Sequence, residues 1–526
     1  MPASKHSKVH LVGGGLASLA AAVFLVRDAG VPGENVRVLE QLPAADGARA
    51  PTREGGHVVR YDPVFGDEHC VCLWNLLETI PTLDDPAVSV RQEIRAFDAE
   101  RPPHARARII NGDRTIADAS KLGLDVRDRA DLTRLLALPE RLIGARSVED
   151  LFRPHFFTTH FWCMWRTTFA FQPWHSAVEL KRHLLAFVQE FGHLHTLSGL
   201  RRGRYDPYDS VVRPIREWLT ARGVRTDFGT TVADADFSGP AARRLSRLHL
   251  RKDGAEAGTI ELGEDDYAFL TLGSTAADTA YGDSTTVPEL VRGRRDGSWR
   301  LWESIARNAP DFGRPAAFCG NIEETGRESF TLTTTGSLLL DRIQKHTGDV
   351  PGEGALMTWK DSRWLLSVEV PPQPHFRDQE EDTYTLWGYA LTGGVPGDHV
   401  PKRMGDCTGA EILDELLGHL GFDDIADEVR ETTRVTTVQM PYATARFQRR
   451  AASDRPLVVP DGAVNFAFLG QFVELPESAA STAEYAVRSA MTAVHHHFGV
   501  DRGIPAAYHG LADPEVARSA LRTALA

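Results

Sequence analysis

The chain has 526 residues, of which 42% are hydrophobic and 25% are charged. This balance is that of an ordinary globular protein and excludes a globally disordered chain, and the length predicts roughly two to four structural units. Acidic residues outnumber basic ones by 72 to 59, for a formal net charge of −13. Because nucleic-acid binding relies on Lys and Arg to neutralise phosphates, this charge argues against a nucleic-acid partner.

The five cysteines are too few for a disulfide framework, so we expect a reducing compartment and a cytoplasmic location. No Cys or His spacing predicts a metal site. The longest apolar run, Leu16–Val26, is too short to span a bilayer, and the first ten residues lack the apolar core of a signal peptide. Transient contact with a membrane surface and the choice between monomer and homodimer stay open.

The first forty residues have the pattern of a strand–turn–helix–strand unit. Lys8–Val12 predicts a buried strand that ends at three glycines, Leu16–Asp28 predicts a helix, and Val36–Leu39 predicts a second strand. This order and length are typical of a dinucleotide-binding unit. The alternative is an ordinary glycine turn in an α/β domain.

Four residues of this unit have the chemistry that a dinucleotide requires. Gly13 permits the tight turn, and Gly15 lets backbone N–H groups approach a pyrophosphate at the helix N-terminus. Glu40 ends the second strand, where a carboxylate accepts hydrogen bonds from ribose hydroxyls. Ser18 stands at the third glycine position of the fingerprint and is small enough for close packing of helix on strand.

Further along the chain, residues 147–220 are predicted to be mainly helical and are rich in aromatic side chains. Such side chains form core more often than they wall a cavity. Asp266–Gly273 predicts a strand that ends in a glycine turn, and a β-rich middle follows. Val464–Gly470 predicts another buried strand before a glycine turn, followed by a helix from about Ala480.

Nucleotide-binding signals near both chain ends predict an α/β protein. We expect a Rossmann-like FAD-binding domain built from both ends, with an inserted α+β substrate region and a helical C-terminal cap. The predicted segments are 1–150 (first part of the FAD domain, with a flexible Gly-Gly loop), 151–220 (helical, aromatic-rich substrate segment), 221–290 (return to the FAD domain), 291–440 (β-rich substrate-binding region) and 441–526 (last part of the FAD domain and C-terminal helices).

Seven longer stretches carry a more specific signal, and they are Gly13–Ala21 (GGGLASLAA), Phe169–Glu179 (FAFQPWHSAVE), Glu328–Thr333 (ESFTLT), Gln373–Phe376 (QPHF), Asp406–Ile412 (DCTGAEI), Met440–Tyr442 (MPY) and Asn465–Pro476 (NFAFLGQFVELP). In this order they resemble the oleate hydratase family, formerly called the myosin-cross-reactive antigens. The resemblance runs along nearly the whole chain.

The resemblance implies an FAD-binding hydro-lyase that adds water across an isolated cis double bond of a free fatty acid, without net redox change. An acid delivers a proton to the alkene, and a base holds the water on the opposite side. The implied ligands are FAD and an unsaturated lipid or another apolar small molecule. The candidate cofactor-binding residues are Gly13, Gly15, Ser18, Glu40, Gly55, Gly56, Gly273, Gly470, Glu474 and Ser481.

The chain departs from the family at the two catalytic positions. The family's Arg-Gly-Gly-Arg-Glu-Met loop corresponds to residues 54–59, which places Val58 where the family has the Glu that positions water. Glu54, Asp67 and Glu68 are nearby carboxylates that could substitute. The family's proton-donating Tyr corresponds to His183, whose imidazolium could donate a proton at working pH. The alternative for His183 is a plain helix residue.

A third departure concerns the family's carboxylate-recognition motif, Thr-x-Asn-x-x-x-His. Here His375 is kept, but Glu369 replaces the Thr and Pro371 replaces the Asn. A Glu facing a fatty-acid carboxylate would repel it, so we expect free oleate to be a poor substrate. The other candidate substrate-binding residues are Gln373, Phe171 and Trp174.

These substitutions leave three hypotheses about function. The first is a hydratase of the family type that acts on an unsaturated fatty-acid-like substrate. The second is a flavin-dependent double-bond isomerase or oxidoreductase that acts on a non-carboxylate apolar substrate. The third is a catalytically silent relative that binds lipid or flavin.

Overall fold

The computed structural model describes residues 7–43, 56–60, 70–239, 242–252, 254–290, 292–293, 296–307, 309–353, 355–508 and 510–525. Four predicted site residues, Glu54, Gly55, Asp67 and Glu68, lie outside these ranges. Their roles therefore stay predictions.

The strands of the described residues are β1 (Val9–Val12), β2 (Val36–Leu39), β3 (Ile109–Ile110), β4 (Arg225–Asp227), β5 (Thr230–Ser238), β6 (Arg244–Lys252), β7 (Ala255–Glu261), β8 (Tyr267–Thr271), β9 (Ala280–Gly282), β10 (Arg327–Thr335), β11 (Ala355–Trp359), β12 (Leu366–Val370), β13 (Thr383–Ala390), β14 (Thr433–Met440) and β15 (Phe466–Leu469).

The α-helices are α1 (Leu16–Arg27), α2 (Val71–Leu77), α3 (Val90–Glu100), α4 (Val126–Ala137), α5 (Glu140–Ile143), α6 (His160–Phe169), α7 (Ala177–Ala186), α8 (Arg213–Thr220), α9 (Gly297–Ala306), α10 (Ala316–Cys319), α11 (Ile322–Thr325), α12 (Leu338–Thr347), α13 (Gly409–Leu420), α14 (Ala426–Thr432), α15 (Ala483–Phe498) and α16 (Pro514–Leu525).

A five-stranded parallel sheet in the order β15-β8-β1-β2-β4 contains the predicted dinucleotide-binding unit. Every residue of β1 and β15 is buried, which is typical of a parallel sheet covered on both faces. Helices α1 and α15 pack against each other beside this sheet. The strands come from the start, the middle and the end of the chain, and the predicted α/β class is confirmed.

A seven-stranded sheet in the order β3-β11-β12-β13-β10-β14-β9 forms most of the predicted β-rich middle. Its central strands are antiparallel, and β3 pairs with β11 in parallel. Trp387 is in register with Glu369 on one side and with Thr331 on the other, so these three residues share a face. A separate three-stranded antiparallel sheet, β5-β6-β7, was not predicted.

The aromatic residues of the predicted helical segment are mostly core. Trp162 and Trp165 on α6 are fully buried, and the ring of Trp165 lies 4.7 Å from that of Phe169. These rings belong to a hydrophobic cluster that also includes Phe187 and Trp387. Over the part of the chain that the structure describes, no helix combines the length and the apolar character needed to cross a membrane.

Candidate functional site

A cavity of about 500 Å³ extends from the glycine turn after β1 to one face of the seven-stranded sheet. We call its two ends the glycine half and the sheet half. The glycine half includes Gly13–Ala17, Glu40–Leu42, Thr230–Val232, Gly273–Ala276, Asp296–Ser298, Gly470–Phe472 and Ser481–Ala483. The sheet half includes Thr167–Ala170, Phe187, Arg202, Tyr208, Arg327, Leu356, Glu369, Phe376, Trp387, Tyr389 and Met440.

The glycine turn has the geometry of a phosphate-binding loop. Gly13 has φ +94°, a conformation that side chains rarely adopt, and its N–H donates to the carbonyl of Leu39 at 2.8 Å. Gly15 is the N-cap of α1 and lines the cavity, and a Cβ built on it meets no atom within 4 Å. The space above Gly15, at the positive end of a 12-residue helix, fits a pyrophosphate.

Glu40 lies beside this turn, as predicted for a ribose-binding acid. Its carboxylate accepts hydrogen bonds from the N–H groups of Gly14 and of Leu42, the latter at 2.7 Å. Burial raises the pKa of Glu40. The side chain lines the cavity, so a ribose hydroxyl would compete with these two N–H groups for the same carboxylate.

Ser18 does not line the cavity but supports the turn from behind. It is fully buried, and its hydroxyl lies 3.0 Å from the hydroxyl of Thr271 on β8 and 3.3 Å from the carbonyl of Val12. The small side chain thus joins α1 to two strands. Direct contact between Ser18 and a cofactor has no support in this placement.

Two further glycine turns reach the same cavity from β8 and β15. Gly273 has φ +63°, and a Cβ there would come within 2.8 Å of the Phe472 ring. Gly470 has φ +97°, and both glycines line the cavity. Gly56 instead lies against Thr333 on β10, while its neighbours Val58 and Val59 line the cavity. The structure therefore brings together Gly13, Gly15, Glu40, Gly273 and Gly470.

Glu474 was predicted to contact the cofactor, but it belongs to a buried ion-pair network. Its carboxylate contacts Arg182 at 2.7 Å and Arg450 at 2.9 Å. Arg450 also contacts Glu179, at 3.1 Å, and Arg182 contacts Glu140. Arg455 completes this arginine–glutamate network with a 2.9 Å contact to Glu179. It connects α7 to the loop that follows β15, and cofactor contact by Glu474 has no support here.

His183 was predicted to be the proton donor, and its surroundings argue against that role. It is fully buried and is not among the residues that line the cavity. Burial lowers its pKa to about 4, so the imidazole is neutral at working pH. Nδ1 lies 2.8 Å from the carbonyl of Glu179 and must donate there, which leaves Nε2 to accept from the hydroxyl of Ser481 at 2.5 Å. Ser481, unlike His183, does line the cavity.

The neutral state of His183 has a measurable consequence for stability. The unfolded chain protonates this residue below about pH 6.5, whereas the folded protein does so only below about pH 4. Between these values acidification favours the unfolded state, by about 1.4 kcal/mol per pH unit. We expect the free energy of unfolding of His183→Gln, measured with urea at pH 7.5, 6 and 5, to fall less steeply than that of the wild type, by about that slope.

The matched control for this prediction is His496→Gln, because His496 is exposed on α15. The free energy of unfolding of His496→Gln should depend on pH as that of the wild type does. Above pH 7 both states of His183 are neutral, so the slopes of all three proteins should agree there. Equal slopes for wild type and His183→Gln between pH 6 and 5 would show that His183 titrates normally, and the proton-donor hypothesis would regain its basis.

The structure contradicts the prediction that Glu369 repels a fatty-acid carboxylate. Glu369 lies on the wall of the sheet half, and its carboxylate is 2.5 Å from the guanidinium of Arg202. Both side chains are buried. Because the pair carries no net charge, an incoming carboxylate does not meet an isolated negative charge. The inference that free oleate is a poor substrate therefore loses its physical reason.

The other predicted substrate-binding residues do not line the cavity. Phe171 is core, stacked 4.4 Å from Phe447, and the indole N–H of Trp174 donates to a backbone carbonyl. The Gln373 amide donates to the backbone carbonyl of Pro371 in its own turn and to that of Thr385 on β13. His375 is buried behind Phe376, which does line the cavity. Substrate contact by these four residues has no support in their placement.

Sequence reasoning missed several residues of the sheet half, among them Arg202, Arg327, Trp387 and Tyr389. No motif marks the two arginines. The alternation along β10 and β13 could have placed Arg327, Trp387 and Tyr389 on one face, because residues two apart in a strand point the same way. Arg202 lies in a loop, and no pattern predicts its contact with Glu369.

A family model described as the MCRA family matches residues 6–495 of this chain. An oleate hydratase from Streptococcus pyogenes serotype M49 (strain NZ131) is 35% identical, with 96% of this chain and 87% of that protein covered. A linoleate hydratase from Lactiplantibacillus plantarum is 32% identical, with 94% of each chain covered. These matches confirm the resemblance noted in the sequence.

Among solved structures, this chain is similar to a putrescine oxidase double mutant from a redesign of cofactor binding, with TM-score 0.51 and 12% identity over 94% of this chain and 99% of that one. Wild-type putrescine oxidase bound to putrescine gives TM-score 0.51 and 11% identity over the same shares. At such low identity the likeness concerns the fold alone.

Proposed function

This chain belongs to the MCRA family, and from that membership we propose that it is an FAD-binding hydratase that adds water to an isolated double bond of an unsaturated fatty acid. Oleate and linoleate hydratases at 35% and 32% identity, aligned over most of both chains, support this substrate class. The hydratase hypothesis is therefore preferred to an isomerase or an oxidoreductase.

The observation that carries the proposal is the continuity of one cavity. Its glycine half offers the open space above Gly15 and the carboxylate of Glu40, which suit the pyrophosphate and a ribose of FAD. Its sheet half offers Phe376, Trp387 and other apolar side chains, which suit an alkyl chain. Bound FAD would supply a structural and electrostatic platform for a reaction that has no net redox change.

The proton donor in this proposal has to reach the cavity, and His183 does not line it. Among the described residues, Tyr208 and Tyr389 are tyrosines that line the cavity, and each has a phenol that could donate a proton. Burial raises the pKa of Tyr389 to about 12, so its hydroxyl keeps its proton at working pH. That hydroxyl donates to the backbone carbonyl of Thr167 and would have to leave it to protonate an alkene. The residue that holds the water stays a prediction, with Glu54, Asp67 and Glu68 as candidates.

The test is product analysis in labelled water. FAD-loaded, reduced protein is incubated with oleate, linoleate and palmitoleate in H₂¹⁸O, and products are analysed by mass spectrometry. We expect each converted acid to gain one labelled water. Conversion at unchanged mass with a shifted retention time would instead establish an isomerase, and loss of hydrogen would establish an oxidoreductase. Absence of any conversion, with FAD bound, would favour the third hypothesis, a catalytically silent relative that binds lipid or flavin.

We also propose the five chain segments predicted from the sequence. The strands of the parallel sheet, which come from residues 9–39, 225–271 and 466–469, support the three segments assigned to the FAD domain. We propose a cytoplasmic location because five cysteines are too few for a disulfide framework. A monomer and a homodimer are both compatible with the described chain, and size-exclusion chromatography with light scattering decides between them.

A further inference from the structure

Arg327 begins β10 and lines the sheet half of the cavity. Its guanidinium lies 5.7 Å from the ring centre of Trp387 and 5.5 Å from that of Tyr389, which is the range of a cation–π contact. One of its Nη atoms donates to the backbone carbonyl of Arg60 at 3.3 Å. The side chain therefore lies against two aromatic rings at the cavity wall.

The charge of Arg327 has no carboxylate partner within 4.0 Å among the described residues. Its side-chain contacts there are the two rings and the carbonyl of Arg60, and the charge of Glu328 acts on it from a longer distance. Burial lowers the pKa of this guanidinium, but arginine stays charged in proteins. Arg327 is only partly exposed, and a cation withdrawn from water is costly unless an anion compensates it. Its neighbour in sequence, Glu328, points to the opposite face of the sheet, as strand alternation requires.

The ion pair between Arg202 and Glu369, in the sheet half of the cavity, does not supply that anion. Thr331 shares a face with Trp387 and Glu369 by register, and Arg327 lies four residues before Thr331 on the same face. Ideal strand spacing then separates Arg327 from Glu369 by roughly 16 Å, across two strands and four residues. Glu369 is in any case already paired with Arg202. Arg60 and Arg446 also line this cavity, but Arg327 is the arginine that lies against Trp387 and Tyr389.

We propose that Arg327 is the anion-binding residue of this cavity, and that it takes a planar, delocalised anion through the paired N–H groups of its guanidinium. Two groups that would enter the cavity have this chemistry: the carboxylate of the fatty acid and the anionic pyrimidine edge of the reduced flavin. A guanidinium suits both because it forms two parallel hydrogen bonds in one plane. The proposal rests on the proposed function, which supplies both ligands.

The experiment compares wild type with Arg327→Gln and Arg327→Lys, and Arg342→Gln is the control because Arg342 pairs with Asp424 at the surface. The first measurement is the dissociation constant of oleate and of oleyl alcohol on FAD-loaded protein, by isothermal titration calorimetry below the micelle concentration. The second is the midpoint potential of bound FAD, by spectroelectrochemistry. Circular dichroism verifies that each variant is folded.

If the anion is the carboxylate, Arg327→Gln weakens oleate binding about 10- to 100-fold and leaves oleyl alcohol nearly unchanged. Arg327→Lys then recovers part of the loss, since it keeps the charge but not the paired N–H groups. If the anion is the reduced flavin, Arg327→Gln lowers the midpoint potential instead. A tenfold weaker preference for reduced FAD corresponds to about 30 mV for this two-electron couple.

The proposal is overturned if Arg327→Gln is folded and changes neither the oleate-to-alcohol preference nor the potential. It is also overturned if the double variant Arg202→Met with Glu369→Leu abolishes the preference for oleate while Arg327→Gln keeps it. Failure of the proposed function is distinguishable from both, because it appears as the absence of a labelled-water product in wild type. Binding and potential can be measured in a protein that shows no turnover.

Discussion

Gly15→Val is expected to abolish FAD binding in a protein that still folds. Gly15 has φ −76° and ψ 175°, an extended conformation that valine adopts without strain. A Cβ at this position meets no protein atom within 4 Å. The valine side chain therefore occupies only the cavity space above the N-terminus of α1, where the pyrophosphate has to approach the backbone N–H groups. We expect the dissociation constant of FAD to rise at least about 100-fold, or about 2.8 kcal/mol.

The measurement is titration of apoprotein with FAD, followed by flavin fluorescence, with near-ultraviolet circular dichroism as the test of folding. Gly394→Val is the matched control, because a Cβ at Gly394 also meets no atom within 4 Å, yet Gly394 lies outside the cavity. Gly13→Val is a poorer test, since φ +94° strains any side chain and the fold itself would suffer. Wild-type FAD affinity in folded Gly15→Val would place the cofactor elsewhere.

Glu179→Gln is expected to produce the largest loss of stability among the substitutions considered. Glu179 is fully buried, and burial opposes its ionisation, but Arg455 and Arg450 outweigh that effect and hold its pKa at about 2. The network has three carboxylates and three guanidiniums, so removing one negative charge leaves a buried excess cation. Breaking one member of a buried pair typically costs about 3–5 kcal/mol. Urea unfolding at pH 7.5 should show a loss in the free energy of unfolding within this range.

The control for this variant is Glu217→Gln, which breaks a 3.1 Å contact with Arg213 at the exposed surface of α8. Such pairs contribute about 0–1 kcal/mol, so the control should unfold close to wild type. A loss below about 1 kcal/mol in Glu179→Gln would mean that the arginines find other partners or water. The pairs would then be dispensable for joining α7 to the segment between β14 and β15.

The elements with strong local signals were predictable from the sequence. The strand–turn–helix unit at residues 8–40 appears as β1, α1 and β2 within one or two residues, because apolar runs and glycines define such boundaries locally. Helix α13 ends at Leu420, and Gly421 follows it with φ +70°, the conformation that glycine commonly adopts after a helix. The β5-β6-β7 sheet was not predicted because β5 and β6 are mostly half-buried, β7 is mostly exposed, and none of the three carries a continuous apolar run.

The candidate site was predictable only where it depends on backbone conformation. Gly13, Gly273 and Gly470 all have positive φ at turns that reach the cavity, and glycine is the residue for such turns. His183 and Glu369 were misjudged because their partners are distant in sequence. Burial keeps His183 neutral and the guanidinium of Arg202 balances the charge of Glu369, and no local pattern reveals either environment.

The parallel sheet also determines when, during synthesis, the protein can first bind its cofactor. Strand β15 pairs with β8, yet it begins at residue 466, long after β8 ends at residue 271. Helix α15, which packs on α1, emerges from the ribosome later still. A nascent chain that stops before residue 466 lacks an edge of the sheet and the Gly470 turn. Such long-range pairing slows folding, and the exposed edge of β8 is then a site at which chaperones or aggregation compete.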